Sequence, residues 1–406
     1  MKPSGPIPDG FGRDAAGQLL IGGRPASDLV EEAGGTPLFA YDRSLVGRQI
    51  ARFRAAMPDN ISLHYAVKAN PYEPLLRFLA QYVDGFDVAS AGELSCVTEL
   101  GLQVSMAGPG KSSADLRAAI EAGATVNVES EGEAQRAIAF AAELDVVPKL
   151  AVRLNPPFTL KGAGMKMGGF ASPFGIDHDR APALVRSLIE AGADWRGLHI
   201  FTGSQALDAD ALIEVQKATL ALAAKVSEEA GAAPPDVNLG GGFGIAYFAG
   251  ETPVDVERIG AALSAELRNA PAILDGTRFA IELGRWLVGE AGVYLTRIVD
   301  RKESGGRTFL ITDGGLHHML SASGNFGQLL RRNYPVAIAV GFEAEADEEV
   351  TITGCLCTPL DLLADQVMVP RAEVGDLVAI FCAGAYGLTA SPQAFLGQPP
   401  ARELLV

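Results

Sequence analysis

Residues 61–69 read ISLHYAVKA, residues 71–83 PYEPLLRFLAQYV, and residues 84–90 DGFDVAS. The first and third are short runs with alternating apolar positions. The middle stretch carries apolar residues three and four apart. Together they make a strand–helix–strand unit. The unit recurs along the chain. Strand-like runs follow at VSMAGP (104–109), TVNVES (125–130), KLAVRLNP (149–156), WRGLHIFTG (195–203), DVNLGGG (236–242) and RFAIELGR (278–285). Between them lie helical periods such as SADLRAAIEAG (113–123), EGEAQRAIAFAAEL (131–144), RAPALVRSLIEAG (180–192) and VERIGAALSAELRNA (256–270). Several open near Ser or Asp and close at Gly, as helix caps require.

Helical crossovers between strands imply parallel pairing. Eight strands close a (β/α)8 barrel of about 250 residues. An open, doubly wound sheet is the competing arrangement. The barrel is preferred because polar or glycine-rich residues end nearly every strand, and a barrel gathers those ends at one mouth. The expected barrel spans residues 37–290. Beyond it the pattern turns to strands: GVYLTRIVDRKES (292–304), RTFLITDGG (307–315), PVAIAVGF (335–342), EEVTITGCLC (348–357) and GDLVAIFCAGAYG (375–387). A smaller all-β domain is expected over 291–406, with residues 1–36 contributing through QLLIGGRPASDLV (18–30). The loop over 155–175 is long enough to be a lid or an active-site loop.

The chain has 406 residues, 33 Lys plus Arg and 49 Asp plus Glu, for a net charge of −16. That balance repels phosphate backbones and argues against a nucleic-acid partner. A hydrophobic fraction of 48% supports a large core. No apolar run reaches the roughly 18 residues of a membrane span, and no basic-then-apolar start marks a secretory signal. Four cysteines in this length point to a reducing cytoplasm rather than a disulfide framework. Cys355 and Cys357 have no histidine at a recognised zinc spacing, so no metal is expected.

Three features carry chemistry. Lys68 ends an apolar barrel strand, where it would face the mouth; a desolvated amine there can form a Schiff base. The alternative is an ion-paired or snorkelling lysine. Asn238–Gly244 is a glycine run after the seventh strand, where barrels place phosphate sites, although tight turns also use glycine. Glu282 and Arg285 follow the eighth strand. Glu282 needs a cationic partner, which Arg285 or a protonated pyridine nitrogen would supply; a plain structural pair is the other reading. Lysine, phosphate cradle and glutamate together suit pyridoxal 5'-phosphate.

The motifs HYAVKAN, GFDVASAGEL, VNVES, RLNP, GLHIFTGSQ, NLGGGFG, ELGR, GCLCTPLD and GAYG, in that order, resemble the pyridoxal-phosphate decarboxylases of the alanine-racemase fold, which act on ornithine, diaminopimelate and arginine. The resemblance implies removal of an amino acid's α-carboxylate. It makes Lys68 the cofactor lysine and Glu282 the partner of the pyridine nitrogen. Ser204, Gly241, Gly242, Gly284, Arg285 and Tyr386 become phosphate-side contacts, and Asp87 and Arg153 organise the network behind the ring. Cys357 becomes the acid that reaches in from the other subunit of a homodimer.

Four departures bear on substrate. Phe201 stands where the family stacks a His on the ring, and His199 lies two residues earlier. Thr358 stands where an acidic residue follows the catalytic Cys, with Asp361 three residues on. Ser321 and Asn325 hold places where diaminopimelate enzymes carry Arg and Tyr. The loop before SPFG lacks a usual Lys. These changes resemble the butirosin-type and exosortase-associated subgroup and point to a carrier-tethered amino acid, with Thr358, Asp361 and His317 expected near it. His317 and His318 would face substrate or solvent. An amino-acid racemase on the same fold is one alternative. It would need acid–base groups on both faces of Cα. A decarboxylase-like regulator without cofactor is the other, and it would have lost Lys68, Glu282 or Cys357.

Overall fold

The computed structural model describes residues 1–326, 328 and 330–406. They fall into two compact units. One comprises Ile50–Gly244 and Val254–Gly284, the other Met1–Gln49, Ile245–Pro253 and Arg285–Val406.

The first unit is the eight-stranded parallel barrel. Its strands are β1 (Ile61–Ala66), β2 (Gly85–Val88), β3 (Gln103–Met106), β4 (Thr125–Val128), β5 (Lys149–Asn155), β6 (Asp194–Ile200), β7 (Asp236–Asn238) and β8 (Arg278–Leu283). Each pairs in parallel with the next, and β8 closes the ring on β1 through Glu282 opposite His64. Alternation sorts β1 by face. Ile61, Leu63 and Tyr65 are buried, while Ser62 and His64 turn to the barrel interior.

Side-chain caps start the crossover helices. Ser90, Ser112, Ser130, Asp208 and Asp255 each accept a backbone N–H from the first turn of their helix. Each such cap contributes about 1 kcal/mol. The longest helix, Ala209–Ala230, stops at Gly231 in the left-handed region.

The second unit is built on Gly292–Ser304, which pairs antiparallel with Leu38–Tyr41, Arg307–Thr312 and Leu377–Ile380. Leu38–Tyr41 therefore belongs to this sheet, not to the barrel expected from residue 37. Residues 18–30 supply Leu19, Ile21, Leu29 and Val30 to the core of this unit, but their strand Leu19–Ile21 sits in a separate three-stranded sheet. Two of the strands that escaped the sequence reading have a local reason. Leu362–Val369 is interrupted by a bulge, with Gln366 at φ 51°, which breaks the alternation. Arg402–Leu405 is a four-residue edge strand with two charged positions. Among the described residues no helix is long and apolar enough to cross a membrane.

Candidate active site

β1 stops at Ala66, and a single turn, Val67–Ala69, carries Lys68 past its end. Tyr65 donates its hydroxyl to the Asn70 carbonyl at 3.0 Å, pinning that turn. Val67 and Ala69 are buried but Lys68 itself is exposed. Lys68 thus follows the strand end, and only the expected desolvation is corrected, because the residue is exposed. Its Nζ lies 5.2 Å from the centre of the Phe201 ring. Gly284 follows β8 directly and backs onto Ala69 of the same turn.

Glu282 is buried near the end of β8. His199 Nε2 donates to its Oε2 at 2.9 Å and Asn238 Nδ2 to the same oxygen at 3.2 Å. Oε1 takes no hydrogen bond among the described residues, so one lone-pair face is open to a further donor. Burial alone would push this carboxyl up. His199, Lys68 and Arg153 outweigh burial and hold it down at about 2, so Glu282 is ionised. Arg153, His199 and Asn238 are register partners across β5, β6 and β7. Arg153 is fixed from behind by Glu129, whose Oε1 accepts Nη1 at 2.9 Å. Burial opposes ionisation of Glu129 too. Arg153, Lys111 and the Gly175 and Gly108 amides overcome it and lower its pKa. Asp87, on β2, faces His64 Nδ1 at 3.4 Å.

The glycine run leaves β7 through Asn238, whose Oδ1 accepts the Gly240 N–H at 2.8 Å. One side chain thus ties the glycine loop to Glu282. At Gly241 a Cβ would stand 1.9 Å from the Glu282 carbonyl oxygen, so only glycine fits. Gly203–Ser204 pairs antiparallel with Met165–Lys166 from the long loop. That loop is thereby stitched to the Ser204 segment.

In the second unit, Arg285 donates Nη1 to the Tyr247 hydroxyl at 2.8 Å, and its guanidinium lies 4.6 Å from the Tyr386 ring centre. Tyr386 is held at φ 53°, a conformation seen in side-chain-bearing residues mainly where function demands it. The two cysteines of GCLC separate. Cys355 points Sγ at the Asp313 carbonyl at 3.5 Å, whereas Cys357 is exposed. Asp361 accepts the Leu316 N–H on Oδ1 at 2.6 Å and the Leu356 N–H on Oδ2 at 2.8 Å. One of these amides belongs to its own loop and the other to the segment that carries His317, so Asp361 ties the two together. His317 and His318 are fully buried, which removes the solvent-facing alternative. Among the described residues neither ring nitrogen of His317 has a hydrogen-bond partner, and burial, with His318 beside it, lowers its pKa to about 4.

The sequence reading missed His199, Asn238, Glu129 and His64 as members of this network. The available signal was a polar residue at an inward position of an otherwise apolar strand.

Residues 43–289 match the model of the pyridoxal-binding domain of pyridoxal-dependent decarboxylases. The chain belongs to that family. It is an enzyme of the class, a pyridoxal-phosphate-dependent amino-acid decarboxylase. Among its relatives is the L-glutamyl-[BtrI acyl-carrier protein] decarboxylase of Niallia circulans, 36% identical over 91% of this chain and 88% of that one. The diaminopimelate decarboxylase of Archaeoglobus fulgidus is 31% identical over 96% and 92%. A crystal structure of diaminopimelate decarboxylase from M. jannaschii in co-complex with L-lysine superposes with a TM-score of 0.87 at 26% identity, covering 98% of this chain and 93% of that one. The residues present fit the cofactor. An exposed lysine at a strand end, a buried ionised carboxylate with one oxygen open, and a glycine loop tied to that carboxylate are the donor set it needs.

Proposed function

We propose that the chain decarboxylates an amino acid whose far end is attached to an acyl-carrier protein. One observation carries this reading: Asp361, the carboxylate closest in sequence to Cys357, has both oxygens consumed by backbone amides. With Thr358 next to Cys357, no acid of this segment is left to receive a distal ammonium. The Niallia circulans relative, whose name specifies a carrier-bound glutamyl group, supports the same direction.

When bound, pyridoxal phosphate supplies a conjugated ring that accepts the electron pair left by departing CO2. The residues divide the remaining work. Lys68 holds the cofactor covalently and yields to the substrate amine. Glu282, kept ionised, holds a proton on the pyridine nitrogen through its open oxygen. Ser204, Gly241 and Gly242 would hold the phosphate. Arg153 and Asp87 brace the ring, and Phe201 offers it an apolar face. Cys357 is exposed, as an acid delivered to a second copy of the chain must be. In a homodimer it would protonate Cα of the neighbouring site. Four free thiols suit a cytoplasmic setting.

The test is a steady-state comparison. Free ornithine, lysine and diaminopimelate are assayed beside the same panel of amino acids loaded on an acyl-carrier protein. CO2 release is expected mainly from loaded carrier. Strong turnover of a free diamino acid, with no gain on carrier attachment, overturns the reading.

A further inference from the structure

The barrel interior is not packed shut. A cavity of about 130 Å³ opens at the N-terminal ends of the strands, away from Lys68. Besides Val104, Ala151, Leu198, Phe279 and Ala280, its lining takes alternate residues of four strands: Ser62 and His64, Gln103 and Ser105, Thr125 and Asn127, Asp236 and Asn238. That period marks them as the inward set. Where a barrel interior is usually filled by branched apolar side chains, here apolar residues share the wall with hydroxyls, amides and one imidazole. Asp84, Arg196 and Arg278 stand at its outer end with Asp236. The volume is large enough for several waters, and the hydroxyls and amides of the wall offer them hydrogen-bond partners.

His64 lies at the inner end. Its side chain, midway along β1, lines the cavity and keeps 15% of its surface accessible. Nδ1 faces Asp87 Oδ2 at 3.4 Å. Nε2 makes no hydrogen bond among the described residues. The ring therefore stands between the cavity and the network beneath the cofactor, beside its register partner Glu282.

We propose that this cavity is a water-filled proton-exchange route serving the His64–Asp87 pair from the N-terminal end of the barrel. A proton enters from bulk water at the charged rim and passes along water to Nε2. The ring then carries it as imidazolium against the Asp87 carboxylate, and the reverse path returns it. No other bond is made or broken. The groups facing His64 agree with such a carrier: burial alone would lower its pKa, but Asp87, with Glu282 and Asp84, outweighs burial and raises it. The route lets the pair equilibrate with solvent while substrate covers the catalytic mouth.

The proposal rests on the cofactor reading only for where the proton matters, so the test reads both separately. Ser105→Leu fills the cavity, and Ala151→Val fills it more gently. In selectively ¹⁵N-histidine-labelled chain without cofactor, exchange of the His64 ring proton, assigned by its loss in His64→Gln, should slow at least tenfold in either variant. In holoenzyme, the cofactor absorbance should relax at least tenfold more slowly after a pH jump, to an unchanged end point. Wild-type rates in a filled variant that keeps its melting temperature overturn the proposal. Oxygen-17 relaxation dispersion on the unmodified chain provides a check that needs no variant. Long-lived internal water supports the route, and a dry cavity overturns it. Failure of the cofactor reading would show separately, as no absorbance linked to Lys68.

Discussion

The interior of the barrel and the core of the second unit are built on opposite principles. The second unit packs Leu19, Ile21, Leu38, Val293, Leu295, Phe342, Leu377 and Phe381 with no ionised side chain among them. Phe381 meets Phe11 edge-to-face and Phe342 at a tilt, at 5.0 and 6.0 Å between ring centres. The barrel interior instead holds His64, Asn127, Arg153, His199, Asn238 and Glu282, with a cavity beneath them. Its stability comes from the other face of the same strands, through residues such as Leu63, Phe86, Val152 and Ile281. Buried charge contributes little net stability once its desolvation is counted. The barrel thus separates the two tasks by strand face, apolar outward for folding and polar inward for chemistry. The second unit's core serves folding alone.

Opposite substitutions should divide cleanly along that line. The largest effect is expected for Lys68→Ala. Loss of the covalent anchor should cut turnover by about 10⁴-fold or more. Because Lys68 is exposed, unfolding should move by no more than about 0.5 kcal/mol. Borohydride reduction of unmodified holoenzyme should add mass to the Lys68 peptide and to no other. A variant that keeps turnover, or loses its fold, breaks the division. Phe381→Ala is the converse. Emptying a fully buried aromatic site should cost about 3–5 kcal/mol, read by urea unfolding, while the folded fraction keeps its cofactor absorbance. A lost cofactor signal at full folding would mean that this core also serves the chemistry.

The apolar outward face is what made the barrel legible. Alternating strands, helical periods and Ser or Asp caps place the β1–β8 elements within a few residues of their observed limits. The candidate site residues at strand ends stand within the motifs that carry the family resemblance. The supporting network was not legible. His199 and Glu282 are 83 residues apart and meet only through strand register. Nothing local at His199 announces a carboxylate partner. Asn238 was visible only as the start of a glycine run, though its two ends bond two different functional elements. Asp361 was legible only as an acidic residue three beyond Thr358; the fold shows its oxygens accepting the Leu356 and Leu316 amides, 5 and 45 residues away.

The second unit is not free of polar burial, and His317 shows its cost. Its folded pKa of about 4 lies below the ordinary histidine value of 6.5. Between those values the unfolded chain binds the extra proton and the folded chain does not. Stability is therefore whole above pH 6.5 and falls as pH drops toward 4, by a total on the order of 2–3 kcal/mol. His317→Leu removes that slope. Urea midpoints at pH 7 and pH 4.5 should converge for the variant and diverge for the unmodified chain. Equal pH sensitivity in both would place the titrating group elsewhere.

Asp361→Asn is the smallest change and sharpens the comparison most. Asparagine keeps the shape and one carbonyl acceptor but presents an amide N–H₂ to the second backbone donor. The cavity for this side chain is tight: a Cβ at Gly315 or at Gly354 would sit 2.3 or 2.2 Å from a carboxylate oxygen. The replaced group cannot turn away. One hydrogen bond to charge is lost and one donor left buried, a cost of about 1–2 kcal/mol. The expected result is a urea midpoint lowered by that amount, with the Lys68-linked absorbance intact and turnover reduced because the loop carrying Cys357 loosens. If Asp361 instead met substrate, KM for loaded carrier would rise while stability stayed unchanged, and the loop-shaping role would fall.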